Sequence, residues 1–318
     1  MSPLRLRDFA RIVPSREVIA LSLWLLGGCG REEPAVHADS LPLGAAPVVA
    51  PAPGKATDNG WNAAAGPALL VQGATRDEAI ALFPAESDSD AVARLDSASL
   101  SEVPVTLFGR GGIRYSAQLG APTGEGTDDC ERWPLHSFQP AGTASWSVGF
   151  VTDRVQPLAL DSVDVLSSRD SMTIVAEASR LASSVTTSTS AAFQGLRFTV
   201  EDVRRFQASP GVSALVAQLV RHINQEASPQ EEQTLLVAER DSGMTAGPYH
   251  LAYAERAFGH EGDVESSEVL AGVRIGPSRV PSLIIAKDDN DGIRYAMLER
   301  TGAGQWRLRW SSGLTSCG

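Results

Sequence analysis

Cysteine and lysine are the scarcest informative residues in this 318-residue chain. Three cysteines, Cys29, Cys130 and Cys317, exclude a small disulfide-stapled scaffold, which needs several paired thiols per short domain. Lys55 and Lys287 are the only lysines among 27 basic residues, set against 38 acidic ones for a formal charge of −11. Neutralising phosphates requires clustered Lys and Arg, so no nucleic-acid partner is expected. Apart from a short N-terminal run the chain has no sustained apolar stretch, and a multi-span membrane protein is excluded. Catalytic signatures are missing too: there is no H-E-x-x-H or close His pair, no G-x-S-x-G elbow and no G-x-x-x-x-G-K-[ST] loop. Gly109 to Gly112 lacks the third glycine of a dinucleotide fingerprint. No catalytic residue and no cofactor are therefore assigned. What remains, 43% apolar and 20% charged, has the balance of a globular protein long enough for a sizeable core.

The first thirty residues are the most specific part of the chain. Arg5, Arg7, Arg11 and Arg16 make a basic start, and Val18 to Leu26 follow as a short apolar run. Nine helical residues rise about 14 Å, too little for a hydrocarbon core about 30 Å thick. A signal peptide explains the pattern better than a membrane span. The run ends in Leu26-Gly27-Gly28-Cys29, which resembles the lipobox of bacterial lipoproteins. The resemblance covers this segment alone. It implies cleavage between Gly28 and Cys29, diacylglyceryl attachment to the Cys29 sulfur and acylation, commonly palmitate, of the new amino group. Two or three acyl chains hold a protein stably on a bilayer, which becomes the first expected partner. Gly30 follows the cysteine, with no Asp to resemble an inner-membrane retention signal. The expected address is the bacterial cell envelope, with the outer membrane facing periplasm or cell surface favoured. Removing residues 1–28 takes away four Arg, one Asp and one Glu, so the formal charge moves from −11 to −13.

Residues 29–67 read as a disordered linker. From Gly30 to Pro67, Ala, Pro and Gly make up 21 of 38 residues, so little apolar surface is available to offset the ordering entropy. A flexible chain of that length spans about 35 Å. Beyond it the expected fold is mainly β, with antiparallel sheets or a meander and about one α-helix. It divides into a β-rich half with the helix, 68–190, and an antiparallel β meander, 191–318. Candidate strands are Leu69 to Val71, Ile80 to Phe83, and Val105 to Phe108 joined through glycine to Ile113 to Ala117. Alternation marks Trp146, Val148 and Phe150, then Leu196, Phe198 and Val200. A helix capped by Asp170 or Ser171 carries Ile174, Ala178, Leu181 and Val185 at helical spacing. Residues 211–226 fit a helix by spacing, begun at Ser209-Pro210, and a strand by context; context favours the strand. Leu235 to Asp241 resembles Leu283 to Asp289, and a second strand follows each, which reads as a repeated hairpin.

With Cys29 assigned to lipid, Cys130 and Cys317 are expected to pair in an oxidising compartment. Their loop of 187 sequence steps is worth about 5 kcal/mol on the chain-entropy model. Lys287 to Gly292 partly matches a D-x-[DN]-x-[DN]-G calcium loop, leaving Asp289 and Asp291 as weak metal candidates. Lys287 fills the first ligand position and Leu298 the place of the bidentate Glu, so a hairpin turn is the better reading. The expected function is a membrane-anchored envelope lipoprotein acting as a binding or structural module for an unknown protein or glycan. The alternative is an envelope hydrolase of glycan or peptide with a motif-free carboxylate site, with enzymatic activity the less favoured of the two.

Overall fold

The computed structural model describes residues 60–84, 97–112, 114–125, 133–139, 145–185, 191–224, 228–241 and 247–315. Six antiparallel strands close a small barrel: β1 (Leu69–Gln72), β2 (Glu78–Leu82), β3 (Pro104–Phe108), β4 (Arg114–Glu125), β5 (Pro134–Gln139) and β6 (Val148–Val151). Their order is β1-β2-β5-β4-β3-β6, with β6 returning to β1. Closure depends on Gly149, which pairs with both Leu70 and Leu107. A Cβ there would lie 2.7 Å from Leu107 Cδ2 and 3.2 Å from Leu70 Cβ, so only glycine lets the two neighbouring side chains meet above it. Phe108 and Phe150 meet edge-on at 6.1 Å, and Trp146 donates its indole N–H to the Arg76 carbonyl at 2.9 Å.

The chain then builds two five-stranded sheets. One has the order β12-β11-β10-β9-β8, from β8 (Asp161–Ser162), β9 (Thr199–Ser209), β10 (Val212–Ile223), β11 (Gln230–Asp241) and β12 (His250–His260). The other has the order β16-β15-β14-β13-β7, from β7 (Val155–Leu158), β13 (Ser266–Ile275), β14 (Val280–Asp289), β15 (Gly292–Gly302) and β16 (Gln305–Ser311). Each is a four-stranded meander extended by one short strand from the linker after the barrel. The sheets face each other across a core containing Val216, Leu235, Val237, Leu283, Ile285 and Leu298. Alternate residues of the same strands point the other way. Leu215, Ala217 and Leu236 meet the single helix α1 (Ser168–Ser184), while Ile284, Met297 and Trp310 meet the barrel. Four layers result: helix, sheet, sheet, barrel.

Burial on both faces explains β10. Its 12 residues pair without interruption with β11, from Val212 with Asp241 to Ile223 with Gln230. Because both faces are covered, a continuous apolar run suits this strand, and helical spacing within it is incidental. Pro210-Gly211 turns β9 into β10, with Gly211 at φ +78° as a type II turn requires. Double-sided burial also accounts for the resemblance of 235–241 to 283–289. They are β11 and β14, third strand of one meander and second of the other, so the likeness reflects shared surroundings rather than equivalent places.

Four expectations are corrected. The linker reading extends too far, because residues 60–67 belong to the body. Trp61 stacks edge-on against Trp310 at 5.1 Å, Asn62 donates to Glu299 at 2.9 Å, and Ala65 is buried. The dividing line at residue 190 is misplaced, since β7, β8 and α1 all belong with the two sheets and the barrel ends at Val151. The helix cap is Ser167: its Oγ accepts from Asp170 N at 3.2 Å and donates to the Asp170 carboxylate at 2.8 Å. The alternation from Leu196 is not all strand. Leu196 closes a 3-10 turn on Phe193, and pairing starts at Thr199.

Candidate functional site

A cleft of about 720 Å³ opens at one end of the paired sheets. Its walls are the β9–β10 turn, the β13–β14 turn, the start of β7 and the end of β15. Gln156, Gln207, Ser209, Ser278 and Thr301 supply polar groups, and Pro157, Pro210 and Pro281 supply stiff apolar edges. A shallower groove of about 400 Å³ shares Gln156 and Arg279 with it and continues past Asp153, Arg154 and Gly276 to Ala64. The segment 60–66 therefore forms part of the wall. Gly276 permits this contact, because a Cβ on it would come within 2.8 Å of the Ala64 methyl.

Three arginines line the main cleft, and their circumstances differ. Arg300 is spent on Glu239: Nε reaches Oε1 at 2.7 Å and Nη2 reaches Oε2 at 2.9 Å. Glu239 also accepts from Trp306 Nε1 at 2.6 Å and from Gly304 N at 2.9 Å. Burial alone would raise the Glu239 pKa, but these donors outweigh it and hold the carboxyl below its ordinary value. Arg274 crosses between the sheets, donating to the carbonyls of Ala208 at 3.2 Å and Gln207 at 2.5 Å. Burial first, and the facing charge of Arg279 second, hold this guanidinium below its ordinary value. Among the described residues, no carboxylate pairs with Arg274 or Arg279. Arg279 itself sits at φ +50° and Asp153 at φ +67°, left-handed conformations that cost a side chain about 1 kcal/mol or more each. Arg279 thus lines both openings in a strained conformation, and Asp153, equally strained, lines the adjoining groove with it.

Other charged clusters have structural geometries. Lys287 reaches from β14 to Glu255 and Glu265, each at 3.0 Å, and Glu255 also accepts from Tyr253 at 2.7 Å and Ser267 at 2.9 Å. Burial works against the lysine charge, but the two carboxylates prevail and its pKa is raised. Arg221 makes a bidentate pair with the fully buried Glu232, at 3.1 and 2.9 Å, under the rings of Phe193 and Phe198. Arg256 joins them and donates to the Ala182 carbonyl at the end of α1. His222, Glu231 and Glu261 bring one donor atom each within 4.8 Å of one another, but His222 and Glu261 are exposed and water competes at each.

Of the residues singled out from sequence, Gly28, Cys29, Cys130 and Cys317 lie outside the described residues. Asp289 and Asp291 belong to the β14–β15 turn. Asp289 Oδ1 accepts from Asp291 N at 3.0 Å and Gly292 N at 3.1 Å, and its other oxygen pairs with Arg294 at 2.9 Å. The carboxylate is thus committed to shaping the hairpin. Sequence reasoning missed the arginine cleft, whose lining comes from four separate segments, 156–157, 207–210, 274–281 and 300–302; the one local hint was the basic residue in the Gly276-Pro277-Ser278-Arg279 turn. A catalytic carboxylate pair is not formed there, since Asp153 is the one acidic residue among the described lining of the two grooves. Compared with known protein families, curated proteins and solved structures, the chain shows no match.

Proposed function

We propose that this chain is a lipid-anchored envelope binding module that holds its ligand in the arginine cleft. The observation that carries the reading is the pair Arg274 and Arg279, two cations in a cleft of an otherwise acidic protein that pair with no carboxylate among the described residues. Arg274 is half-buried and Arg279 exposed, and an anionic occupant would exchange their water for charge-assisted hydrogen bonds. The anchoring half rests on the sequence: a basic start, a short apolar run and Leu26-Gly27-Gly28-Cys29 in order. No described helix is long and apolar enough to cross a membrane, which accords with anchoring by acyl chains. An outer-membrane position and a Cys130–Cys317 bridge complete the proposal.

In-cell cross-linking tests both halves. A photo-reactive side chain at Ser278, on the cleft rim, is expected to capture a reproducible partner; one at Val165, 80% exposed and outside the cleft lining, is not. Labelled fatty acid is expected in the wild type and missing from Cys29→Ser. Equal capture at both positions, together with turnover of an envelope polymer by the purified protein, would replace the binding reading with the hydrolase one. Equal lipid labelling of the two proteins would remove the anchor.

A further inference from the structure

Resting on the binding reading above, we infer that the cleft recognises a phosphomonoester group held between Arg274 and Arg279. Arg300 is paired with Glu239, and in the adjoining groove Arg154 and Arg279 share the lining with Asp153. Four guanidiniums against two carboxylates leave a net two positive charges across the cleft and groove. A phosphomonoester carries between one and a half and two negative charges near neutral pH, so it matches them closely, whereas one carboxylate or phosphodiester leaves a positive charge uncompensated.

Donor geometry points the same way. Arg274 has five N–H groups, of which two are given to the carbonyls of Gln207 and Ala208. Those bonds fix its plane and leave three donors for a ligand. Arg279 projects from a turn whose positive φ sets its direction, and Ser209, Ser278 and Thr301 bring hydroxyls to the same walls. A tetrahedral group with three terminal oxygens can take several such donors at once. The described lining contains no Trp, Tyr or Phe on which a sugar or base could stack, so the phosphate end is the recognised feature and the rest of the ligand lies along the proline edges.

The chemistry could come from a soluble phosphorylated metabolite or from a lipid headgroup, and the experiment separates them. Full-length protein in detergent is titrated with glycerol 1-phosphate, with soluble dibutyryl phosphatidic acid and with acetate. Both phosphomonoesters are expected to bind at least tenfold more tightly than acetate, and added salt should weaken them. Equal affinity for the two would assign a soluble source, and tighter binding of the phosphatidic acid a headgroup. Arg279→Gly carries the mutational test, because it removes the charge while relaxing a left-handed backbone. It should lose tenfold or more of the phosphate affinity at unchanged or higher thermal stability. Arg274→Gln should lose as much, but it also breaks two carbonyl contacts. Arg169→Gln, on the exposed side of α1, should change nothing. Phosphate affinity equal to that of acetate, or unaltered in Arg279→Gly, overturns the phosphate assignment. If cross-links from Ser278 still capture a partner in that event, the binding reading survives it; if they do not, both fall.

Discussion

At Glu239 one carboxylate organises four donors from three places in the sequence, and its worth can be measured. The group is 5% exposed and its folded pKa is depressed. A depressed carboxyl contributes stability that is fully present above its unfolded value, near 4.5, and lost as pH falls through the folded value. Glu239→Gln should therefore cost about 2–4 kcal/mol at pH 7, because Arg300 is left without its partner. Its stability should also change less than that of the wild type between pH 5 and pH 3. Urea unfolding at a series of pH values checks both, and parallel curves would contradict the role given to this pair. None of this geometry is legible in the chain, where Glu239 and Arg300 are separated by 61 positions and each looks like any surface charge. The hairpin at Asp289 is different. Asn290-Asp291-Gly292 between two apolar runs states its own conformation, since local turn chemistry needs no distant partner.

At the scale of elements, the segment Gly60–Gly66 is fastened to the folded body. Its short 3-10 helix (Ala63–Ala65) is capped by the Asn62 side chain, and Trp61 closes the loop by donating to the Gly66 carbonyl at 2.8 Å while lying on Trp310. Trp61→Ala should cost about 3 kcal/mol and leave the strap free to open. The expected readout is rapid proteolysis between residues 60 and 68 with unchanged far-ultraviolet circular dichroism. Protection equal to that of the wild type would mean that the alanines alone hold the strap. Composition is misleading here because one aromatic and one amide outweigh the surrounding Ala, Pro and Gly. Most strands, in contrast, were readable from alternation or from short apolar runs, as β3, β6 and β14 illustrate. β10 was ambiguous because a strand buried on both faces loses the period of two that marks a half-exposed one.

For the whole molecule, the shared sheet implies cooperativity. Met297 on β15 packs toward the barrel, while Leu298 beside it packs toward the opposite sheet, so neither core can open without disturbing β15. Thermal unfolding should be a single calorimetric transition. Met297→Ala and Leu215→Ala, at opposite sides of the layered stack, should each lower that one transition by several degrees, from about 3 kcal/mol apiece. Two separated transitions in either variant would show that barrel and sheets unfold independently.

Alone, the sequence determined the β character of the body, the α-helix at Ser168–Ser184 and the tight turns. Each of these is encoded locally, by hydrophobic period, composition or turn residues read over a few positions. Tertiary structure decided the closure of the barrel, the assignment of β7 and β8 to different sheets, the docking of Trp61 and the seating of the Arg274–Arg279 hairpin end against Gln207 and Ala208. Those depend on which distant segments share a surface, and a guanidinium's significance rests on whether a carboxylate stands opposite it. Among the described residues no carboxylate pairs with Arg274 or Arg279, and the cleft that they line exists only once the two sheets are packed.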